Sequence, residues 1–310
     1  MKLYAALITL SLIWGMSFYF IKVLVEDLGP WGIVFVRCTL GALTLLFIIL
    51  IKRKGLSIKE LPWKALLLVG LLNALLPWGL IAISETRISS SMASIVNATT
   101  PIWTSVIGVL LFSITLRFKQ WMGVIVGFIG ILVLIDLNVT QLINEDLIGM
   151  GTMIAATLCY GYCSQFTKRH LQGVSVMMIS LITLITGAIG SLVIMGVTGS
   201  VFSFKEVASW STFLAMVGLG VFGSGLAYLL FYYMIQKGSA EFATFVTYLV
   251  PITAMFWGWF LLDEHIPAHA ILGLVLILGG VYLSTRKTVK NEPLTASAIN
   301  SKNKGVLYDK

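Results

Sequence analysis

Ten stretches of this sequence, each about 20 residues long, run almost without a charged side chain. A helix rises 1.5 Å per residue, so each stretch matches the ~30 Å hydrocarbon core of a bilayer. They are Leu3 to Val25, Trp31 to Ile51, Trp63 to Ile83, Ile88 to Ser113, Phe118 to Ile135, Leu147 to Phe166, Val174 to Val197, Ser209 to Ile235, Ala240 to Leu262 and Ala268 to Ser284. In lipid a lone segment must satisfy its own backbone N–H and C=O groups, so these stretches read as helices. The strands of a membrane barrel would alternate in polarity instead. With 58% of residues hydrophobic and 11% charged, a soluble fold is excluded. Little chain is left for an extramembrane catalytic domain.

The basic residues set an orientation. Counted by alternate connections, 17 of the 21 Lys and Arg fall on one side, including Lys2, the Lys52 to Lys64 connection and the tail. Only Arg87 and Lys205 fall on the other, while Lys22 and Arg37 lie inside stretches. The positive-inside rule then places both termini in the cytoplasm, and the net charge of +8 reads as a topology signal, with no nucleic-acid partner. The uncharged run from Leu3 to Ile21 within the first stretch reaches Lys22 without a small-residue cleavage site, so the stretch reads as a retained span. Residues 288–310, rich in Lys, Asn and Ser, read as a disordered cytoplasmic tail.

The second half of the chain repeats the first. Trp14-Gly15-x-Ser17 followed by Lys22 lies over Tyr160-Gly161-x-Cys163 followed by Lys168, at an offset of 146. Farther on the offset is 150, matching Gly70 with Gly220, Ala93 with Ala243, Pro101 with Pro251, Gly123 with Gly273 and Gly130 with Gly280. Each repeat holds five spans, an odd number, so the second enters the membrane upside down. The expected organisation is an all-α integral membrane protein of ten transmembrane helices. It comprises a first five-helix repeat (1–142), an inverted second repeat (143–287) and the tail. Inverted repeats are a construction of secondary transporters.

The Trp14-Gly15-x-Ser17 pattern with Lys22, Arg37 in the second span, Pro101 followed by Gly123-x-x-x-Gly127, and Leu262-x-Glu264 followed by Gly273 and Gly280-Val281 resemble the EamA-type branch of the drug/metabolite transporter superfamily. The resemblance covers about residues 3 to 285. It implies a five-plus-five inverted repeat, a central cavity lined mainly by the first, third, fourth, sixth, eighth and ninth helices, and export of small metabolites. Glu264 has no acidic counterpart at Ile114 to Leu116 of the first repeat.

Polar and aromatic groups at membrane depth are the candidate substrate-binding residues: Trp14, Ser17, Asn73, Trp78, Asn97, Thr100, Gln165, Tyr228, Tyr232, Tyr248 and Trp257. Each neutral polar group among them serves equally well as interhelical glue, and each aromatic as packing. Asn97 and Thr100 precede Pro101, whose missing N–H frees a carbonyl at mid-depth. Lys22, Glu26, Arg37, Glu85 and Lys168 form a gating or ion-pair set. The lysines either snorkel to an interface or make gating or carboxylate contacts, and Glu26 is placed to hold Lys22 at i, i+4. Arg37 keeps its proton and needs an acid such as Glu26, Asp27 or Glu85, as a structural pair or as an anion-attracting group.

The three cysteines lie inside apolar stretches, and Cys159 and Cys163 share a helical face without a histidine, so neither metal nor cofactor is expected. Gly15-Met16-Ser17 lacks a base at depth, which disfavours an intramembrane enzyme. The reading is a multi-pass plasma-membrane secondary transporter, for which the resemblance implies export of amino-acid-like compounds or related amphipathic solutes by alternating access. The alternative keeps the fold and exchanges a phosphorylated solute such as a sugar phosphate or nucleotide sugar. Protons are the candidate coupling ion, with Glu85, Asp136 and Glu264 as candidate carriers near the outer surface, and the expected state is a monomer or weak homodimer.

Overall fold

A computed structural model describes residues 2–52, 61–88, 90–134, 146–200, 209–262 and 268–285. Among these residues every regular element is helical. Asp136, Glu264, Lys205, the junction at 142/143 and the tail from 288 lie outside them. In chain order the helices are α1 (Lys2–Gly15), α2 (Ser17–Lys52), α3 (Trp63–Gly70), α4 (Leu76–Glu85), α5 (Ser90–Asn97), α6 (Thr100–Phe112), α7 (Phe118–Leu134), α8 (Leu147–His170), α9 (Val176–Thr198), α10 (Trp210–Val217), α11 (Ala227–Lys237), α12 (Ala240–Thr244), α13 (Val246–Leu262) and α14 (Ala268–Thr285). A wider π turn joins α3 to α4 over Leu71–Leu75, and another joins α10 to α11 over Gly218–Leu226.

Among the described residues, seven helical stretches are long and apolar enough to cross a membrane, and Phe118–Leu134 and Ile271–Ser284 are shorter apolar helices. The longest stretch, Lys2–Lys52, has 51 residues and is interrupted at Gly29, whose φ of 64° ends one helix before Pro30 begins the next. Proline suits a helix start because its fixed φ fits and its absent N–H would have no partner there. Packing gives the direction of each arm. Ser17 and Phe20 meet Gly223 and Gly218, in descending order, whereas Leu40 meets Gly220 and Gly41 and Thr44 meet Gly225, in ascending order. The arms flank the same segment in opposite directions, so the chain turns back at Gly29. The sequence expects two spans there, and the structure has two helical arms that meet at Gly29.

Burial runs opposite to that of a soluble protein. Arg37, Asn73 and Gln165 are buried, while Leu50, Leu110 and Val197 are exposed on the outside, where lipid solvates them. Glycines allow the closest helix contacts. A Cβ added to Gly280 would lie 2.5 Å from the Gly127 amide nitrogen, so α7 and α14 meet backbone to backbone.

Element boundaries recur through the chain. α5 and α12 start at 90 and 240, α6 and α13 end at 112 and 262, and α7 and α14 start at 118 and 268. Each interval is 150 residues, the offset found in the sequence. The π turns correspond too, since Leu71–Leu75 shifted by 150 falls within Gly218–Leu226.

Packing crosses between the halves. α1 lies against α11 and α13, and α8 lies against α4 and α6. The first helix of each half is thus built into the body formed by the other, and a cavity lies where the two bodies meet.

Candidate functional site

Broken helices build this cavity. α1 stops at Gly15 and the chain resumes as a helix at Ser17. Side chains of α13 occupy that end: Trp257 Nε1 donates to the Leu12 carbonyl at 3.0 Å and Thr253 Oγ1 to the Ser11 carbonyl at 2.6 Å. The two π turns free carbonyls at mid-depth. Trp14 Nε1 donates to the Gly223 carbonyl at 3.0 Å, and the Tyr228 hydroxyl donates to the Asn73 carbonyl. Asn73 and Gly223 are 150 residues apart, so both π turns spend the equivalent carbonyl on a cavity-lining aromatic.

The cavity holds about 620 Å³ of empty space, counting its open mouth. Its lining contains five pairs at the repeat offsets: Trp14 with Tyr160, Trp78 with Tyr228, Ile81 with Phe231, Asn97 with Thr247, and Thr100 with Val250. Ser17, Phe18, Ile21, Arg37, Asn73 and Thr244 complete it. Arg37 supplies the only formal charge among these lining residues and is 4% exposed. Its guanidinium carbon lies 3.4 Å from the Trp78 ring centroid, and Nε donates to Ser224 Oγ at 3.1 Å. Stacking on an indole suits a guanidinium, which is planar and weakly hydrated. Asn73 Nδ2 donates to the Tyr232 hydroxyl at 2.8 Å, while Asn73 Oδ1 and Asn97 Oδ1 have no hydrogen-bond partner among the described residues.

Seven of the eleven substrate-binding candidates line this cavity: Trp14, Ser17, Asn73, Trp78, Asn97, Thr100 and Tyr228. The other four are outside the lining, and each makes a specific internal bond. Gln165 Nε2 donates to the Thr104 carbonyl at 2.9 Å and to Glu241 Oε1 at 2.7 Å. Tyr232 is fully buried behind Asn73 and also meets Thr183 Oγ1 at 3.0 Å. Tyr248 donates to the Val124 carbonyl at 2.8 Å, and Trp257 holds the end of α1. Tyr160 and Phe231 line the cavity without having been among the candidates, although the repeat offset points to both as mates of Trp14 and Ile81.

Apart from Arg37, which lines the cavity, the charged candidates are spread over the two ends of the fold. Lys22 Nζ donates to the Glu85 carbonyl at 3.2 Å, and Lys168 Nζ donates to the carbonyls of Gln236 at 3.0 Å and Gly238 at 2.8 Å. Glu26 is exposed, Asp27 accepts from Thr212 Oγ1 at 3.2 Å, and Glu85 is buried. Outside the spans, Arg87 and Asp146 form an ion pair at 3.2 Å. Asp146 also caps α8 by accepting from the Gly149 amide, and that bond, with the nearby guanidinium, holds its carboxyl below the usual carboxylate range. No group of three or more metal-ligating side chains occurs among the described residues.

A polytopic helical membrane protein with an aromatic, singly charged central cavity belongs to the transporter class. The EamA-like transporter family is matched over residues 1–136 and again over 147–286, and the chain belongs to that family as a multi-pass plasma-membrane protein. It is 27% identical to the uncharacterized transporter YoaV of Bacillus subtilis (strain 168), over 92% of this chain and 97% of that one. It is also 27% identical to the uncharacterized inner membrane transporter YedA of Escherichia coli (strain K12), over 92% and 91%. A protein of Chlamydia trachomatis named as an S-adenosylmethionine/S-adenosylhomocysteine transporter is 25% identical over 89% and 85%. A crystal structure with 18% identity superposes with a TM-score of 0.71, covering 93% of this chain and 99% of that one, which establishes the fold.

Proposed function

We propose that this transporter exports amphipathic, amino-acid-like solutes by alternating access. Its frame is ten transmembrane helices in two inverted five-helix repeats, 1–142 and 143–287, with both termini cytoplasmic. The observation that carries the cargo reading is a cavity lining that combines one cation, Arg37, with the amides Asn73 and Asn97 and the aromatic rings Trp14, Trp78, Tyr160 and Tyr228. A guanidinium pairs with a carboxylate in two parallel hydrogen bonds. Amide oxygens without partners accept from an ammonium, and ring faces take up an apolar body. Together these groups match a zwitterion with an apolar side chain. The cargo printed in the chlamydial relative's name is an amino acid extended by a nucleoside, and it too carries an α-carboxylate and an α-ammonium. A phosphorylated solute carries up to two negative charges, and the lining residues offer one cation, Arg37, to set against them.

Support for the inverted frame comes from the five lining pairs and from the matching helix boundaries. An odd number of spans per repeat turns the second copy over. Span length agrees. The hairpin at Gly29 makes two crossings of Lys2–Lys52, and the shorter apolar helices α7 and α14 complete ten.

The test is a tolerance screen of cells overproducing the protein against amino acids, their analogues and phosphorylated metabolites, followed by efflux of the protected compounds. Protection confined to compounds with a free carboxylate and an apolar side chain is expected. Protection against sugar phosphates and not against amino acids would overturn the cargo reading.

A further inference from the structure

The repeat-mate lysines Lys22 and Lys168 make equivalent bonds at opposite ends of the cavity, and both bonds join the two bodies of the fold. Lys22 lies on the first arm of α2, whose Ser17 and Phe20 pack on the π turn leading into α11, and its acceptor, the Glu85 carbonyl, ends α4, which packs with α8. Lys168 belongs to α8, and its acceptors, the Gln236 and Gly238 carbonyls, lie at the end of α11. Each ammonium therefore sits on the C-terminal carbonyls of a helix in the opposite body, where the helix dipole favours a cation.

The depth of the two contacts follows from α4 and α8, which run antiparallel. Gly149 is level with Ser84, whose hydroxyl donates to its carbonyl, and Cys163 is level with Val69. Lys168 is nineteen residues beyond Gly149, about 28 Å along the helix and close to the thickness of the hydrocarbon core. Tyr160, in the cavity wall, falls between them.

We propose that Lys22 and Lys168 are the two gates of the cavity, each holding one end shut by bonding the helix terminus of the facing body. This inference rests on the alternating-access reading. The Lys168 end carries the larger clasp. There Gln165 reaches Glu241 on α12, and Gln236 Nε2 donates to the carbonyls of Leu171 at 3.2 Å and Val174 at 2.7 Å. The cavity lining extends to Ile21, next to Lys22, so the Lys22 end is the thinner closure.

The test reads access to the cavity from each side and needs no solute. A Ser17→Cys reporter is labelled with a membrane-impermeant maleimide in right-side-out and in inside-out vesicles, and a parallel chain without the reporter measures the background from the native cysteines. Lys168→Met is expected to raise labelling about tenfold from one side only, and Lys22→Met from the opposite side only, as the loss of a charged hydrogen bond shifts a two-state equilibrium by about that factor. Lys168→Arg, which keeps the donors, should stay at the wild-type rate and guards against a folding effect. Equal increases from both sides, or no change in chains that remain monodisperse, would overturn the gates. Sided labelling in a protein that moves none of the screened solutes would instead leave the gates standing and remove the cargo reading.

Discussion

Arg37 is the residue on which recognition depends most. It is buried, stacked on Trp78 and tied to Ser224, and it carries the single formal charge of the lining. Hydrogen bonds to charged groups contribute about 1.5 to 3 kcal/mol, so Arg37→Gln is expected to reduce uptake of carboxylate-bearing solutes by tenfold or more. Methyl esters of the same solutes should lose far less, and competitive uptake measures the difference. Tyr232 has a different part. Its hydroxyl bonds Asn73 and Thr183 behind the wall, so Tyr232→Phe should cost stability of about 1 kcal/mol, read as a lower melting midpoint in detergent, with the order of preferred solutes unchanged. Asp146 gives a pH signature. Its depressed carboxyl contributes stability that is present above about pH 4, the unfolded value, and lost as the pH falls through the lower folded value. Asp146→Asn should therefore lower the melting midpoint at pH 7 and match the wild type once the pH is below that range.

At the scale of helices, close approach decides what can be changed. A Cβ at Gly15 would come within 2.3 Å of Thr253 Oγ1, so Gly15→Val should push α1 from α13 and lower the melting midpoint and abundance, an overpacking effect of about 1 to 3 kcal/mol. Gly151 has nothing within 4 Å of the equivalent position, and Gly151→Ala should be neutral or mildly stabilising in the same assay. Much of the helical layout was legible in the sequence because lipid dictates segment length and polarity. The breaks were less so. Pro30 and Gly29 announce the hairpin, whereas the interruption at Met16 has only the weaker signal of Gly15 and Ser17 on either side of it. The contacts made there by Trp257 and Thr253 of α13 have no local signature, because these partners are more than 240 residues away.

Across the whole molecule, the polar residues at membrane depth were readable, but not the face each one presents. Gln165, Tyr232, Tyr248 and Trp257 have the chemistry of a binding site and instead bond between helices, since any buried polar group in lipid must find a partner. Glu241 escaped notice at the start of a span, although Gln165 holds it in the clasp beside Lys168. The repeat was the stronger guide: it links Trp14 to Tyr160 and Trp78 to Tyr228, and all four line the cavity. The central claim is that this shared wall, with Arg37, recognises a carboxylate-bearing solute. Counterflow in proteoliposomes tests it most directly, comparing wild type, Arg37→Gln and Tyr248→Phe with a labelled apolar amino acid and its methyl ester. The account predicts saturable exchange of the acid by wild type and Tyr248→Phe, with a loss of tenfold or more in Arg37→Gln and little loss for the ester. Exchange of the acid by Arg37→Gln at the wild-type KM and rate would contradict it.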